Sequence, residues 1–126
     1  MTDDATTVHQ SQAVDVPSAR LGPAVPWPAP GAALAGDPHA AEVEVVDDGR
    51  VAIGVWECTP GTYRSTKQGY SEFMHVVAGE ATITGDDGTV HEVRPGVAVY
   101  LPDGWSGVWE IRQTVRKSYV AIITGS

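Results

Sequence analysis

The stretch of residues 70–109 constrains the fold more than any other part of the chain, because glycine turns cut it into short segments. An Asp-Gly pair at Asp87 closes one of these turns and is typical of a tight β-hairpin. Short strands at this even spacing predict an antiparallel sandwich or barrel. The four predicted strands of the stretch cover residues 71–77, 80–84, 89–93 and 97–101.

The sequence on either side of this stretch follows the same pattern. Residues 41–46 alternate Glu and Val, which indicates a half-exposed strand, and a hairpin turn at 47–49 leads to a returning strand at 51–57. After Trp105 we predict a strand to Arg112 and a last strand at 115–123. No segment has the apolar period of a helix, so the sequence predicts an all-β protein.

The composition argues against several classes of partner and compartment. The net charge is −8 and no basic cluster is present, which argues against a nucleic-acid partner. No apolar run approaches the length of a membrane span, so no membrane is expected. A single cysteine, Cys58, and an acidic start without the features of a signal peptide favour a cytoplasmic protein.

We divide the chain into a disordered tail at 1–20, an irregular proline-rich arm at 21–39 and a β-barrel domain at 40–126. The prolines of the arm exclude a helix and a central strand. Such a segment can lie across the outer wall of a barrel, with Trp27 as its anchor. A flexible linker is the alternative, and both interpretations remain open.

The spacing of particular residues carries a resemblance to a known family. Glu72 is followed by six residues and then Gly79, and Gly96 is followed by five residues, Pro102, one residue and Gly104. This resembles the two motifs of the cupins, G-x5-H-x-H-x3-4-E-x6-G and G-x5-P-x-G-x2-H-x3-N. The resemblance covers about residues 40–123 and implies a single-domain cupin, a jelly-roll antiparallel β-barrel.

Three phrases, at residues 56–61, 104–110 and 115–119, look like the DUF861 (Cupin_3) group. This group takes its name from the cupin domain of ureidoglycine aminohydrolase. By the motif spacing, the Glu and two His ligands of that enzyme would fall on Thr66, Gln68 and Glu72. Its activity therefore does not carry over to this chain.

The usual metal ligands of cupins are also missing here. The two His of the first motif would fall on Thr66 and Gln68, or on Ser65 and Lys67 with the longer spacing. The His of the second motif would fall on Gly107. A metal site of three histidines needs imidazole nitrogens at these places, so we expect no metal and no other cofactor.

Strand parity, carried over from the cupin motifs, predicts the residues of a pocket. Side chains alternate across a strand, and the motif positions at Glu72 and Gly107 point into a cupin barrel. On the last strand, Lys117 and Tyr119 share one face and Arg116 lies on the other, and which face turns inward is left open. Tyr63, Arg64 and Lys67 lie on a loop over the expected mouth and are placed to close it. The predicted ligand-binding residues are Gln68, Met74, Trp105, Trp109, Tyr119 and Arg64.

Glu72, Lys117 and Tyr70 are the candidate catalytic residues. A carboxylate that points into a barrel has an altered pKa and is able to act as an acid or a base. Alternatively, Glu72 is a remnant of the motif that is hydrogen-bonded to Lys117 or to a tyrosine, because a buried carboxylate is costly without a partner.

Three functions are compatible with this pocket. The first is a metal-independent isomerase, lyase or hydrolase of a small organic substrate. The second is a binding or sensory cupin without catalysis, and the third is a divergent site in which Gln68 and Glu72 hold a divalent cation such as Mn²⁺. In each case the partner is a small molecule, and the resemblance to small cupins implies a homodimer.

Overall fold

Nine strands make up the regular structure of residues 11–17 and 20–125, the part of the chain that the computed structural model describes. No α-helix is present among these residues, so the all-β prediction is confirmed. The strands are β1 (Val25–Pro26), β2 (Ala35–Gly36), β3 (His39–Asp47), β4 (Val51–Cys58), β5 (Gly61–Thr66), β6 (Tyr70–Gly85), β7 (Val90–Val93), β8 (Ala98–Leu101) and β9 (Ser106–Ile123).

Two long strands organise the sheet. β6 has 16 residues and β9 has 18, and they run antiparallel along nearly their whole length. β9 also pairs with β4 and β5, whereas β6 also pairs with β7 and β8. The antiparallel sheet, in which these two long strands pair with four of the others, curls around its own interior. This is the barrel-like fold that the resemblance to the cupins implied.

The sequence placed a break at Gly79, but β6 continues through it. The register between β6 and β9 shifts at three places between Val76 and Ala81, so irregular pairing bends the strand there without ending it. Gly79 has φ +93°, and a Cβ at this residue would lie 2.2 Å from the Thr114 carbonyl oxygen. Only glycine allows β9 to approach β6 this closely. β9 is also one continuous strand, although the sequence predicted two strands there, one ending at Arg112 and the next beginning at Val115.

The core lies on the inner face of the curled sheet. Along β6 the buried residues alternate with exposed ones, so that Met74 and Val76 are fully buried while Phe73 and Val77 face outward. The remaining buried apolar side chains of this core come from β3, β4, β5, β7, β8 and β9 and from residues farther along β6. One region of the inner face, near Glu72, is not filled by apolar side chains and leaves a cavity.

The proline-rich arm pairs with the edges of the sheet. β1 adds to β3 and β2 adds to β5, each over two residues. Between them Trp27 packs against Trp56 and Tyr63, at the cavity and not on the outer wall. The domain boundaries stay a prediction. Of the tail predicted at 1–20, residues 1–10 and 18–19 lie outside the part of the chain that the structure describes.

No helix in residues 11–17 and 20–125 is long and apolar enough to cross a membrane. The homodimer stays a prediction.

Candidate functional site

A cavity of about 350 Å³ opens on the inner face of the sheet. β3, β4, β5, β6 and β9 contribute side chains to it, and the arm contributes Trp27. A volume of this size is in the range of small-molecule sites. Its polar and aromatic lining consists of Trp27, Glu42, Glu44, Trp56, Tyr63, Ser65, Lys67, Tyr70, Glu72, Trp109, Lys117 and Tyr119.

Two lysines and one carboxylate form the charged centre of the cavity. Lys117 Nζ donates a hydrogen bond to Glu72 Oε2 at 2.6 Å, and Lys67 Nζ lies 3.1 Å from Glu72 Oε1. All three residues are at most 7 % exposed. Each oxygen of Glu72 is therefore engaged by a different ammonium group, and the cluster carries one net positive charge.

The backbone explains why these three side chains meet. Glu72 and Lys117 lie on paired strands, where Glu72 faces Ala121 and Lys117 faces Val76, so the lysine reaches diagonally along the inner face. Lys67 follows the end of β5, where its N–H donates to the Trp105 carbonyl at 2.8 Å and its own carbonyl accepts from Gly104 N–H at 2.7 Å. These two bonds hold Lys67 against the turn before β9.

Aromatic rings form the apolar wall beside the charged centre. Trp109 stacks on Tyr63 with ring centroids 6.1 Å apart and planes 10° from parallel, and it meets Trp56 edge to face at 6.1 Å. Lys117 Nζ lies 4.4 Å from the Trp56 ring centroid and 5.1 Å from that of Trp109. The ammonium group therefore rests on two aromatic faces, which is a favourable cation–π geometry.

Burial and charge act on the pKa of each group. Burial alone would raise the pKa of the Glu72 carboxyl, but the charges of Lys117 and Lys67 outweigh it and hold that pKa below its ordinary value. Burial lowers the pKa of Lys117, and Lys67 adds to this effect while Glu72 opposes it in part. Glu72 is thus a stable carboxylate, whereas Lys117 releases its proton more readily than an exposed lysine does.

The stability of the protein should therefore fall in acid through Glu72. Because the folded-state pKa of Glu72 is lower than the ordinary value of 4.5, its contribution is complete above that pH and is lost as the pH falls through the folded-state pKa. The turn carboxylates Asp48 and Asp87 also have lowered pKa values, through backbone N–H donors, and add to the acid sensitivity.

The measurement is the free energy of unfolding in urea between about pH 7 and 3, for the wild type and for Glu72→Gln. The difference between the two curves isolates Glu72 and should shrink toward acid. A difference that does not change with pH would show that Glu72 titrates alike in the folded and unfolded chain.

The mouth of the cavity has the opposite charge to its centre. Tyr119 Oη donates a hydrogen bond to Glu42 Oε2 at 2.7 Å, and Glu44 lies on the same strand, two residues on. Burial and the charge of Glu42 both raise the pKa of Tyr119. Tyr119 packs across Gly54, where a Cβ would lie 2.7 Å from the phenolic oxygen, so this glycine makes room for the ring.

Of the residues predicted from the sequence, five line the cavity: Glu72, Lys117, Tyr70, Trp109 and Tyr119. Lys117 and not Arg116 turns inward, since Arg116 pairs with Glu57 away from the cavity. Tyr70 lies beside Lys67, whose Nζ is 5.6 Å from the tyrosine ring centroid.

The four other predicted residues do not line this cavity, and each differs for a physical reason. Met74 has the predicted inward parity but is fully buried in the core. Trp105 precedes β9, so strand parity does not extend to it, and its ring packs against Gly107. Gln68 follows the end of β5 and is exposed, and Arg64 faces outward and pairs with Asp86 at 2.6 Å.

Several residues that line the cavity were not predicted from the sequence as site residues: Lys67, Tyr63, Trp56, Trp27, Glu42, Glu44 and Ser65. Lys67 and Tyr63 were placed on a loop over the mouth, but β5 is a regular strand that turns Tyr63 inward at 3 % exposure. For Lys67 a signal was present, because it occupies one of the His positions of the first motif with the longer spacing.

The residues of this cavity do not fit a metal ion. Ser65 and Lys67 line the cavity at the first-motif positions, so an ammonium group stands where an imidazole would be needed. At Gly107, the position of the third histidine, a Cβ would lie 2.4 Å from the Thr84 carbonyl oxygen and 2.6 Å from the Trp105 ring, so a side chain has no room there. The alternative site of Gln68 and Glu72 fails because Gln68 lies outside the cavity. Within residues 11–17 and 20–125, no group of three or more His, Cys, Asp or Glu could hold a metal.

Comparison with known proteins places this geometry in a family. A protein-family model described as an EutQ-like cupin domain matches residues 45–119, more than half of the chain. No curated protein matches the chain.

Solved structures share the fold. A DUF861 protein of unknown function from Pseudomonas syringae is 27 % identical with a TM-score of 0.73, and the match covers 87 % of this chain and 47 % of that one. This chain thus spans about half the length of the Pseudomonas protein. The EutQ protein of Clostridium difficile is 20 % identical with a TM-score of 0.61 over 71 % of each chain. Ectoine synthase from P. lautus is 16 % identical with a TM-score of 0.61, over 67 % of this chain and 64 % of that one.

Proposed function

The chain belongs to the EutQ-like cupin family, and we propose that its cavity binds a small organic acid without the help of a metal ion. One observation carries the proposal. Lys67 and Lys117 are the only lysines of an otherwise acidic chain, and both are buried against the same carboxylate in the cavity.

The charges of the cluster favour an anionic ligand. An ammonium group has three N–H donors, and in the part of the chain that the structure describes Glu72 is the only acidic partner of either lysine. Buried cations are costly unless they are paired and hydrogen-bonded. A ligand carboxylate would accept from the remaining donors and neutralise the excess charge.

The aromatic wall of the cavity favours an apolar group on the part of the ligand that lies beyond its carboxylate. Trp56, Tyr63 and Trp109 offer ring faces and edges to a flat or hydrophobic group. Glu42 and Glu44 at the mouth disfavour a second acidic group on the ligand. The site is therefore suited to a monocarboxylic acid with an aromatic or branched apolar substituent.

If the protein is an enzyme, Lys117 is better suited to proton transfer than Glu72. Both oxygens of Glu72 are engaged by lysines and its pKa is lowered, which makes it a weak base and a poor acid at neutral pH. The lowered pKa of Lys117 moves it toward the operating pH of an enzyme. Glu72 then has the role of holding both lysines in place.

The binding proposal can be tested with phenylpropanoate, an aryl monocarboxylate, by isothermal titration calorimetry. We expect Lys67→Met and Lys117→Met each to weaken binding by about tenfold or more, because each removes a charge-assisted hydrogen bond to the ligand. Each variant leaves Glu72 paired with one lysine, so the buried carboxylate stays compensated.

Arg64→Met is the matched control, since Arg64 is a cation that pairs with Asp86 outside the cavity. It should bind phenylpropanoate as the wild type does. If the lysine variants bind a series of aryl and branched carboxylates as tightly as the wild type, the cavity is not a carboxylate site.

A further inference from the structure

We propose that Lys117 forms a reversible imine with the carbonyl carbon of an α-keto acid whose carboxylate is held by Lys67. This inference rests on the proposed function, since it takes the cavity to be a carboxylate site, and it adds a substrate class and a reaction. Lys67 and Lys117 both contact Glu72, so a nucleophile, Lys117, lies beside an anion-binding group, Lys67. An α-keto acid fits this arrangement because its carbonyl group is next to its carboxylate.

The surroundings of Lys117 are those that turn a lysine into a nucleophile. A lysine amine is activated when it is desolvated in an apolar site or lies beside another cation. Lys117 meets both conditions, because it is 5 % exposed, rests on the rings of Trp56 and Trp109, and shares a carboxylate with Lys67. Its pKa is lowered by burial and by Lys67, in keeping with this geometry.

Glu72 holds the Lys117 amine in place over a 2.6 Å hydrogen bond while protons move between Lys117, solvent and the carbonyl oxygen. Lys117 releases a proton to solvent more readily than an exposed lysine does, because burial lowers its pKa, and this frees the lone pair of the amine. The lone pair forms the C–N bond while the carbonyl π bond breaks, and the oxygen takes up a proton to give a carbinolamine. Loss of that oxygen as water leaves an iminium ion. Two of the three ammonium protons leave with the water, and the third stays on the nitrogen, which keeps its positive charge beside Glu72.

The two lysines have different roles for geometric reasons. Lys67 follows β5 and is fixed by backbone bonds on both sides, to Trp105 and Gly104, and it contacts the Tyr70 ring. Lys117 rests on the rings of Trp56 and Trp109, which offer an apolar surface beside its amine. The keto acid therefore places its carboxylate on Lys67 and its carbonyl carbon at Lys117.

The experiment uses phenylpyruvate as the probe, with sodium cyanoborohydride to reduce the imine, followed by intact and peptide mass spectrometry of the full chain. Reduction fixes the adduct as a secondary amine, so the protein should gain the mass of phenylpyruvate less one oxygen atom. Because the chain has only two lysines, the peptide containing Lys117 identifies the site without a variant. Lys117→Arg should abolish the adduct, and Lys67→Met should slow its formation by about tenfold through loss of the carboxylate contact.

Phenylpropanoate, which has no ketone, separates this inference from the binding proposal. If phenylpropanoate binds but phenylpyruvate gives no adduct at Lys117, or an adduct at Lys67 alone, the imine is wrong and the carboxylate site stands. If phenylpropanoate and phenylpyruvate neither bind nor react, both proposals are wrong. An adduct that forms equally in Lys67→Met would overturn the role of Lys67 as the carboxylate anchor.

Discussion

Glu72→Gln is expected to lower the free energy of unfolding by about 3–5 kcal/mol at pH 7, because it leaves two buried ammonium groups without their counter-charge. Glu72 is 5 % exposed and engages Lys67 and Lys117 through its two oxygens. Glutamine keeps the shape of the side chain but accepts through one oxygen only and carries no charge. The free energy of unfolding is measured in urea.

Glu92→Gln is the control for this change. Glu92 is an exposed carboxylate that accepts from Thr82 and pairs with Arg112 at 3.4 Å, so its loss should cost less than about 1 kcal/mol. Adding Lys117→Met to Glu72→Gln removes one uncompensated charge and should recover part of the lost stability. A Glu72→Gln protein that is as stable as the wild type yet no longer binds or reacts would contradict this interpretation. It would favour the acid–base role that the sequence predicts for Glu72.

Trp109→Ala is expected to cost about 3–5 kcal/mol of stability, the usual range for removing a large buried aromatic side chain. Trp109 is 1 % exposed, stacks on Tyr63 and meets Trp56 edge to face. It also provides one of the two rings under the Lys117 ammonium, so the same change should weaken the binding of phenylpropanoate. Thermal denaturation and calorimetric titration of the variant, at a temperature where it is folded, measure the two effects.

Trp109→Phe and Trp105→Ala are the matched comparisons. Phenylalanine retains a ring that stacks on Tyr63, so Trp109→Phe should bind the ligand nearly as tightly as the wild type does. Because phenylalanine is smaller than tryptophan, this variant still leaves a void in the core, but a smaller one than Trp109→Ala leaves. Trp105 is half-buried, packs against Gly107 and does not line the site, so its removal should change stability but not the affinity for an aryl acid. Equal losses of affinity in Trp105→Ala and Trp109→Ala would show that the ligand lies elsewhere.

These outcomes bear on the choice between a binding protein and an enzyme. A carboxylate site without an imine favours a binding or sensory role, whereas an adduct at Lys117 favours catalysis on α-keto acids. In both cases Glu72 acts by holding two lysines, and the fold supplies a cavity with fixed charges. Charges that are already in place when the ligand binds need no reorganisation at that moment.

Much of the fold was determined by local features of the sequence. Glycine turns and the period of two predicted the strands, and the resemblance of the motifs around Glu72 and Gly104 to those of the cupins implied the barrel. The strand predictions rest on interactions within a few residues, where turn geometry and side-chain alternation act directly. The same alternation turned Glu72 and Trp109 inward and kept Lys117 and Tyr119 on one face.

The composition of the site was decided by tertiary structure. Strand parity states which face a side chain takes, but it does not say how deep the residue lies or what stands opposite. For this reason Met74 was placed in the cavity instead of the core, and Trp105, which precedes β9, was assigned a parity that it does not have. The shifts of register near Gly79, which depend on the close approach of Thr114, were invisible in the sequence.

The meeting of Lys67, Glu72 and Lys117 shows the difference most clearly. Glu72 and Lys117 are 45 residues apart in the chain, and the sequence left open whether the partner of Glu72 is Lys117 or a tyrosine; the structure shows that it is Lys117. The contact between Glu72 and Lys117 follows from the pairing of β6 with β9. The contact between Lys67 and Glu72 follows from the backbone hydrogen bonds that join the end of β5 to the turn before β9. Local sequence determined which residues face the interior, because side-chain direction is a property of each strand. Closure of the sheet decided which of them meet, because the distances between strands depend on the whole chain.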